Sequence, residues 1–347
     1  MINGILPPRI SVLTPTYNHS NYILECIESL QRQTLPDWEQ IIIDDGSTDD
    51  TQEKVSRVQD GRITYVRQKH VGIDNLYKSY NRGLRESRAE YVAILEGDDL
   101  WPQHKLNLQL PISEKSKAAV TYGLTAAAGT TRQFRYGIFH MMPRMPRDHR
   151  ILNNNPPGYI LKRLLFDNFI PAVTIIIKRT ALEECRGFVQ PPNTIAVDFP
   201  TLLALSLRNQ FLFIPHILGY SRRHSQSSTF LVNRTLSQSL RIVQSNGSYA
   251  KQLLDKAKSE GLVRGDLLYL LEESGNWEKY RIEMVRLDYA RGLLLNEDWK
   301  EARSVFGSLL TSHVRVIRVA SILGLVASAV HVDLERLTAA WGGYVIG

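Results

Sequence analysis

Between residues 10 and 95, short apolar runs alternate with stretches of helical spacing, and this alternation constrains the fold more than any other feature of the chain. Residues 10–14, 38–43, 63–66 and 91–95 read as strands. Between the first two, residues 21–33 place Ile23, Leu24, Ile27 and Leu30 at the spacing of one helix face. "DDGSTDDTQEKV" supplies a turn and a helix start, with Ser47 or Thr48 expected as the cap. A further helix is expected over about residues 75–86. Strands and helices alternating at this spacing predict an open, mostly parallel sheet with helices on both faces. Ligands of such sheets bind beyond the carboxyl ends of the strands.

Three motifs stand at those ends. "PTYN" (residues 15–18) follows the first strand, "DDGS" (44–47) the second and "EGDD" (96–99) the fourth, so all three are expected along one sheet edge. No GxGxxG follows a strand and no P-loop pattern occurs, which excludes both of those nucleotide-binding classes. Glu96, Asp98 and Asp99, separated only by Gly97, repel one another unless positive charge lies among them. A hard divalent cation shared with phosphate is the chemistry that suits them. Mg²⁺ and Mn²⁺ both accept oxygen ligands, and Asp98 is the expected ligand. A solvated acidic loop preceding a helix is the other reading of the tetrapeptide taken alone.

The 347 residues, 43% of them hydrophobic, suffice for a large core. The net charge of +7 is unevenly spread. Arg132, Arg135, Arg144, Arg147, Arg150, Lys162 and Arg163 face only Asp148 in their segment, which suits an anionic partner or a solvated loop. Cys26 and Cys185 lack metal-site or disulfide-scaffold spacing and read as buried thiols of a reducing compartment. The opening residues do not resemble a signal peptide, and the longest apolar run, residues 319–330, is too short to span a bilayer. A cytoplasmic protein is expected. Downstream, residues 120–122, 173–177 and 211–214 read as strands and 198–207 as a helix, with mostly helical sequence from about Thr235 onward.

The blocks "ISVLTPTYNHSNYILECIESLQRQTLPDWEQIIIDDGSTDDT", "NRGLRESRAEYVAILEGDDLW", "CRGF", "DFPTLLAL" and "YSRRHSQSS", in this order, resemble the family 2 glycosyltransferases. The resemblance covers roughly residues 8–230 and implies the α/β GT-A fold: a mostly parallel central sheet flanked by helices. It divides the chain into a glycosyltransferase domain over 1–230 (a nucleotide-sugar half of about 8–110 and an acceptor half of about 111–230) and a helical C-terminal region over 231–347. The implied reaction is sugar transfer from a nucleoside-diphosphate sugar to a hydroxyl of a glycan or lipid-linked acceptor, with inversion of configuration. The implied cofactor is a divalent cation, Mg²⁺ or Mn²⁺.

The same resemblance places the site. Thr14, Pro15 and Tyr17 match the loop over the nucleotide base, and Asp44 and Asp45 the acids that meet base or ribose. Asn81, Glu96, Gly97, Arg222 and His224 fall at further nucleotide-sugar positions. Asp98 and Asp99 match the metal site, although Glu96 departs from the commoner Asp. Asp198 matches the catalytic base. Its place at a helix start is expected to lower its pKa. The acceptor is expected against residues 130–157. Residues 313–337, with Arg315, Arg318 and Arg336 around an apolar centre, suit either a membrane-surface helix or, as the safer expectation, a helix closing a C-terminal bundle. The expected partners are therefore donor and acceptor, with an anionic membrane as a peripheral contact and no nucleic acid. Two other readings stay open: a non-catalytic glycan- or partner-binding member of the fold, and a nucleotidyltransferase on a similar sheet.

Overall fold

The computed structural model describes residues 7–128, 153, 156–222, 224, 227, 235–261 and 276–332. Most of the basic segment after Arg132, the expected acceptor contact at 130–157 and the end of the 313–337 stretch lie outside the described residues. Among the described residues, seven strands form one sheet in the order β3-β2-β1-β4-β6-β5-β7. They are β1 Ile10–Thr16, β2 Trp38–Asp44, β3 Ile63–Arg67, β4 Tyr91–Ile94, β5 Val120–Ala128, β6 Ile176–Lys178 and β7 Phe211–Arg222. β6 runs antiparallel to both its neighbours, and the other pairings are parallel, as the alternating pattern predicts.

The helices of this half are α1 Ile23–Gln31, α2 Thr51–Ser56, α3 Leu76–Glu86, α4 Lys105–Lys115, α5 Tyr159–Phe166, α6 Arg179–Glu184 and α7 Asp198–Ser206. Alternate residues of each strand feed opposite faces. Leu13, Ile41, Ile43, Val92 and Ile94 join the core beneath α3, α5 and α7. Ile10, Val12, Tyr91, Ala93 and Leu95 join the core beneath α1 and α4. Gly83 of α3 sits where a Cβ would lie 3.1 Å from Leu13, so this helix rides close over β1.

Three local expectations change. Ser47 and Thr48 do not cap α2; its N-cap is Asp50, and Ser47 Oγ instead accepts from the Asn18 amide. The expected strand at 173–177 is a 3₁₀ turn (Ala172–Thr174) followed by β6, because Thr174 Oγ1 turns back to donate to the Pro171 carbonyl. β7 extends to Arg222, well beyond the expected 211–214, and its far end reaches the acidic motif.

The C-terminal helices are α8 Leu236–Ser259, α9 Trp277–Leu295, α10 Trp299–Ser308 and α11 Arg315–Ala329. Ala250 and Ala257 of α8 and Trp277 of α9 join the main core, whereas the later part of α9 builds a separate core with α10 and α11 around Leu287, Leu294, Phe306 and Ile317.

Gly123 tests how tightly β5 and β7 are wound. A Cβ there would stand 2.5 Å from Leu218 and 2.7 Å from the His216 carbonyl, beside the register shift of the pair. Gly123→Val should cost about 2–3 kcal/mol, read as a lower denaturant midpoint. Gly61→Ala, with nothing within 4 Å of the added carbon, should change stability by less than about 0.5 kcal/mol.

Candidate active site

The register Thr16↔Asp44 and the bond from the Gly97 amide to the Pro15 carbonyl (3.1 Å) bring the three motifs together at the carboxyl ends of β1, β2 and β4. At the centre, Glu96, Asp98 and Asp99 each offer an oxygen, and these oxygens lie within 4.8 Å of one another. Gly97 is required by space: a Cβ would approach Thr16 Oγ1 to 2.6 Å and His19 Nδ1 to 2.8 Å.

Each carboxylate is held by a different element. Tyr80 of α3 donates its hydroxyl to Glu96 Oε1. His224 Nε2 lies 3.0 Å from Asp98 Oδ2. The Arg222 amide donates to Asp99 Oδ1 (2.8 Å), while its guanidinium reaches the Asp98 carbonyl (2.9 Å) and Glu25 (2.8 Å) and lies over the Tyr22 ring. Tyr22 in turn stacks at a tilt on His224, 4.4 Å between centroids.

The electrostatics follow from this crowding. Burial, then the charge of Asp98, pushes Glu96 up to about 7, against the opposing bond from Tyr80. Burial and the charges of Asp98 and Glu96 raise Asp99 well above the carboxylate range. Burial also acts upward on Asp98, but the bond from His224 and the charges of His19 and His224 outweigh it and hold Asp98 low. One charged carboxylate between two that resist ionisation is a site short of positive charge. The donor set is entirely oxygen, which fits Mg²⁺ or Mn²⁺. Thr16 Oγ1, His19 Nδ1 and His224 Nδ1 around it are buried without a partner in the protein, so polar capacity remains for a ligand.

The other predicted residues divide into two groups. Tyr17 is exposed at the cleft and stacks on His70, 4.3 Å between centroids, as a flat wall beside Asp45. Asp45 accepts from Gln68 Nε2 and from the Val71 and Gly72 amides, and so fixes the 68–72 loop. Thr14 and Asn81 are not brought to the cluster. Thr14 is fully buried and accepts from Gln40, and both ends of the Asn81 amide are bonded to the Phe188 backbone. Asp44 is fully buried too, held by the Ser47 amide and the Tyr65 hydroxyl. Pro15 lies within β1 opposite Ile43.

Asp198 begins α7 as expected and accepts from Asn168 Nδ2 (3.1 Å). Its pKa, however, is raised. Burial outweighs the Asn168 bond and the helix-start amides that would lower it. Its charge contributes to the upward shifts of Tyr80 and Glu96, so it lies near both. His19, Tyr22, Tyr80 and Asn168 were not foreseen. His19 carried one legible signal: it directly follows "PTYN" at the end of β1.

Glu96 provides a stability test. Its folded pKa of about 7 lies above the ordinary value of 4.5. The unfolded chain releases this proton first, so the stability gained by keeping it is full below pH 4.5 and is lost as pH rises through 7. Without metal, Glu96→Gln should match the wild type near pH 4.5 and exceed it by about 2–3 kcal/mol above pH 8. Denaturant midpoints across that range measure the difference, and parallel curves would show that Glu96 carries no charge penalty.

A family model described as "Glycosyl transferase family 2" matches residues 11–176. The Bacillus subtilis glycosyltransferase TuaG, named for teichuronic acid biosynthesis, is 31% identical over 204 residues, 57% of this chain and 72% of TuaG. The Escherichia coli UDP-Glc:alpha-D-GlcNAc-diphosphoundecaprenol beta-1,3-glucosyltransferase WfgD is 25% identical over 181 residues, 50% of this chain and 61% of WfgD. The chain spans only 15% and 18% of the length of two uncharacterised glycosyltransferases, from Rickettsia bellii and Rickettsia felis, that are 38% identical over 109 residues. The solved mannosyltransferase PcManGT from Pyrobaculum calidifontis, in complex with GDP-Man and Mn²⁺, shares the fold at a TM-score of 0.53 and 18% identity, covering 95% of this chain and 88% of that one. With its sheet order, its acidic motif at the strand ends and a relative matched over most of its length, the chain belongs to the family 2 glycosyltransferases.

Proposed function

We propose that the protein transfers a sugar from a nucleoside-diphosphate sugar to a hydroxyl of a glycan or lipid-linked acceptor, with inversion at the anomeric carbon. The observation that carries this reading is the trio Glu96, Asp98 and Asp99 at the strand ends, with Asp198 near enough for its charge to act on Glu96. Asp198 takes the proton of the acceptor hydroxyl as its oxygen bonds to the anomeric carbon. The bond from that carbon to the diphosphate breaks, and the nucleoside diphosphate leaves with the electron pair. Burial serves this role: a carboxylate with a raised pKa is the stronger base. Asn168 orients it from one oxygen.

Asp98, with Asp99 and Glu96 beside it, would hold Mg²⁺ or Mn²⁺, which when bound supplies positive charge against the departing diphosphate. Arg222 and His224 position Asp98 and Asp99 from behind. The Tyr17–His70 stack offers an aromatic wall for the base. The name of WfgD supports a lipid-linked acceptor, and the Mn²⁺ complex of PcManGT supports a cation at the acidic trio. A lipid-linked acceptor sets the reaction at a membrane surface, with the protein as a peripheral partner at its cytoplasmic face.

Two experiments test this. Thermal stability should rise with one nucleoside diphosphate only when Mn²⁺ is present. Ligand at about a hundred times its dissociation constant adds roughly 2.7 kcal/mol, and Asp98→Asn should abolish the shift. No shift with any nucleotide would refute the site. Asp198→Asn should retain the nucleotide shift but lower kcat by about 10²–10⁴-fold. In the wild type, the rate should fall on the acid side as Asp198 takes up a proton, with a midpoint above the ordinary aspartate value of about 3.9. Transfer at the wild-type rate by Asp198→Asn would remove it as the base.

A further inference from the structure

α11 is built inside out. Its buried residues are Ile317, Ser321, Gly324, Ala327 and Ser328, mostly small, with Ala320 and Leu325 half-buried against the same core. Its outward face carries Val316, Val319, Ile322, Leu323, Val326 and Val330, each between 49% and 65% exposed. The helix closes the bundle against α9 and α10, as expected for residues 313–337 over their described part, yet it leaves a large aliphatic side facing outward. The orientation is locked. A Cβ at Gly324 would lie 2.3 Å from the Phe306 ring of α10, so no larger residue fits on the inward side there. Positions 316, 319, 323, 326 and 330 advance by alternating threes and fours, which lines them up as one stripe.

We propose that this stripe docks on an anionic lipid bilayer. Charge complementarity points to that occupant. Arg315 and Arg318 are exposed beside the stripe, and no Asp or Glu occurs from His313 to Val332. The dimensions agree. Fifteen residues make a helix about 22 Å long and about 10 Å wide, a face well short of the roughly 800 Å² that each partner gives a stable protein interface. A bilayer surface imposes no such minimum, because an apolar helix face sinks about 5–10 Å into the headgroup boundary while basic side chains meet anionic lipid. The helix lies on the surface rather than through it: no helix among the described residues is long and apolar enough to cross a membrane. The side of an interfacial helix that normally faces water is here turned to α10. The protein itself thus forms the upper half of an amphipathic element. This inference concerns a helix outside the acidic site and stands whether or not the transfer reaction does.

Flotation of the full chain with vesicles tests it without measuring activity. The wild type should float with vesicles of phosphatidylglycerol and phosphatidylcholine at low salt, and weakly with phosphatidylcholine alone. Val319→Ser, Leu323→Ser and Val326→Ser together should weaken binding at least tenfold while leaving the melting temperature and the nucleotide response unchanged, because these side chains face outward. Arg315→Gln with Arg318→Gln should flatten the salt dependence. Failure of the wild type to float on anionic vesicles would overturn the proposal, as would equal flotation of the triple serine variant. A concentration-dependent dimer in sedimentation that the serine variant dissociates, with no vesicle binding, would assign the stripe to a second copy instead. A nucleotide shift without flotation would remove the docking surface and leave the transferase reading intact.

Discussion

The mutual repulsion of Glu96, Asp98 and Asp99 is the constraint around which the first half of the chain is arranged. Three carboxylates at the end of a core strand cannot all ionise in so little space, and burial makes each charge costlier. The surrounding groups come from distant parts of the sequence. Tyr80 arrives from α3, Arg222 from the end of β7, and His224 from just beyond it. β7 must run its full length to Arg222 for this to happen, and its pairing with β5 shifts register on the way. The Leu100 and Tyr220 backbones also bond to each other in both directions, fastening β7 to the chain leaving the acidic motif. The end of β7 is therefore tied to the acidic motif at the place where charge must be controlled.

The same crowding makes each charge in the site costly. Glu96 near neutrality and Asp99 above the carboxylate range are carboxylates deprived of charge they would carry in water. A bound cation would relieve all three at once. His224 cannot substitute for it, because its Nε2 serves only Asp98 and its Nδ1 is buried without a partner. The protein holds the site unneutralised by backbone geometry, with Gly97 passing between Thr16 and His19 where any side chain would collide.

How much of this could be read in the sequence depended on range. The four parallel strands and their helices were legible because each is marked by its own local periodicity. The carboxylates at the strand ends were legible because the topology fixes which end faces a ligand. The extension of β7, the antiparallel β6 and the helix α4, which runs through Pro111, are set by tertiary partners and left no local signature. Asp198 shows the limit most clearly. The sequence revealed its helix start, which alone lowers a carboxylate pKa. Burial beneath the surrounding side chains, invisible in any short window, reverses the sign. Thr14 and Asn81 show the same dependence on range. Gln40 and the Phe188 backbone, both remote in sequence, take up their polar atoms.

α11 carries that lesson to the surface. Its sequence is apolar on nearly every side, so periodicity could not say which side faces inward. The choice is made by the neighbour. Phe306 fills the space over Gly324, and only the side bearing Gly, Ser and Ala can approach α10 this closely. Close approach through small residues aligns two helices without needing large side chains between them, as at helix contacts inside membranes. The large aliphatics are then left on the water side, where each costs free energy that folding does not recover. A face of six such side chains, kept outward by a glycine that no larger residue can replace, is what the proposed bilayer contact would cover, with Arg315 and Arg318 beside it.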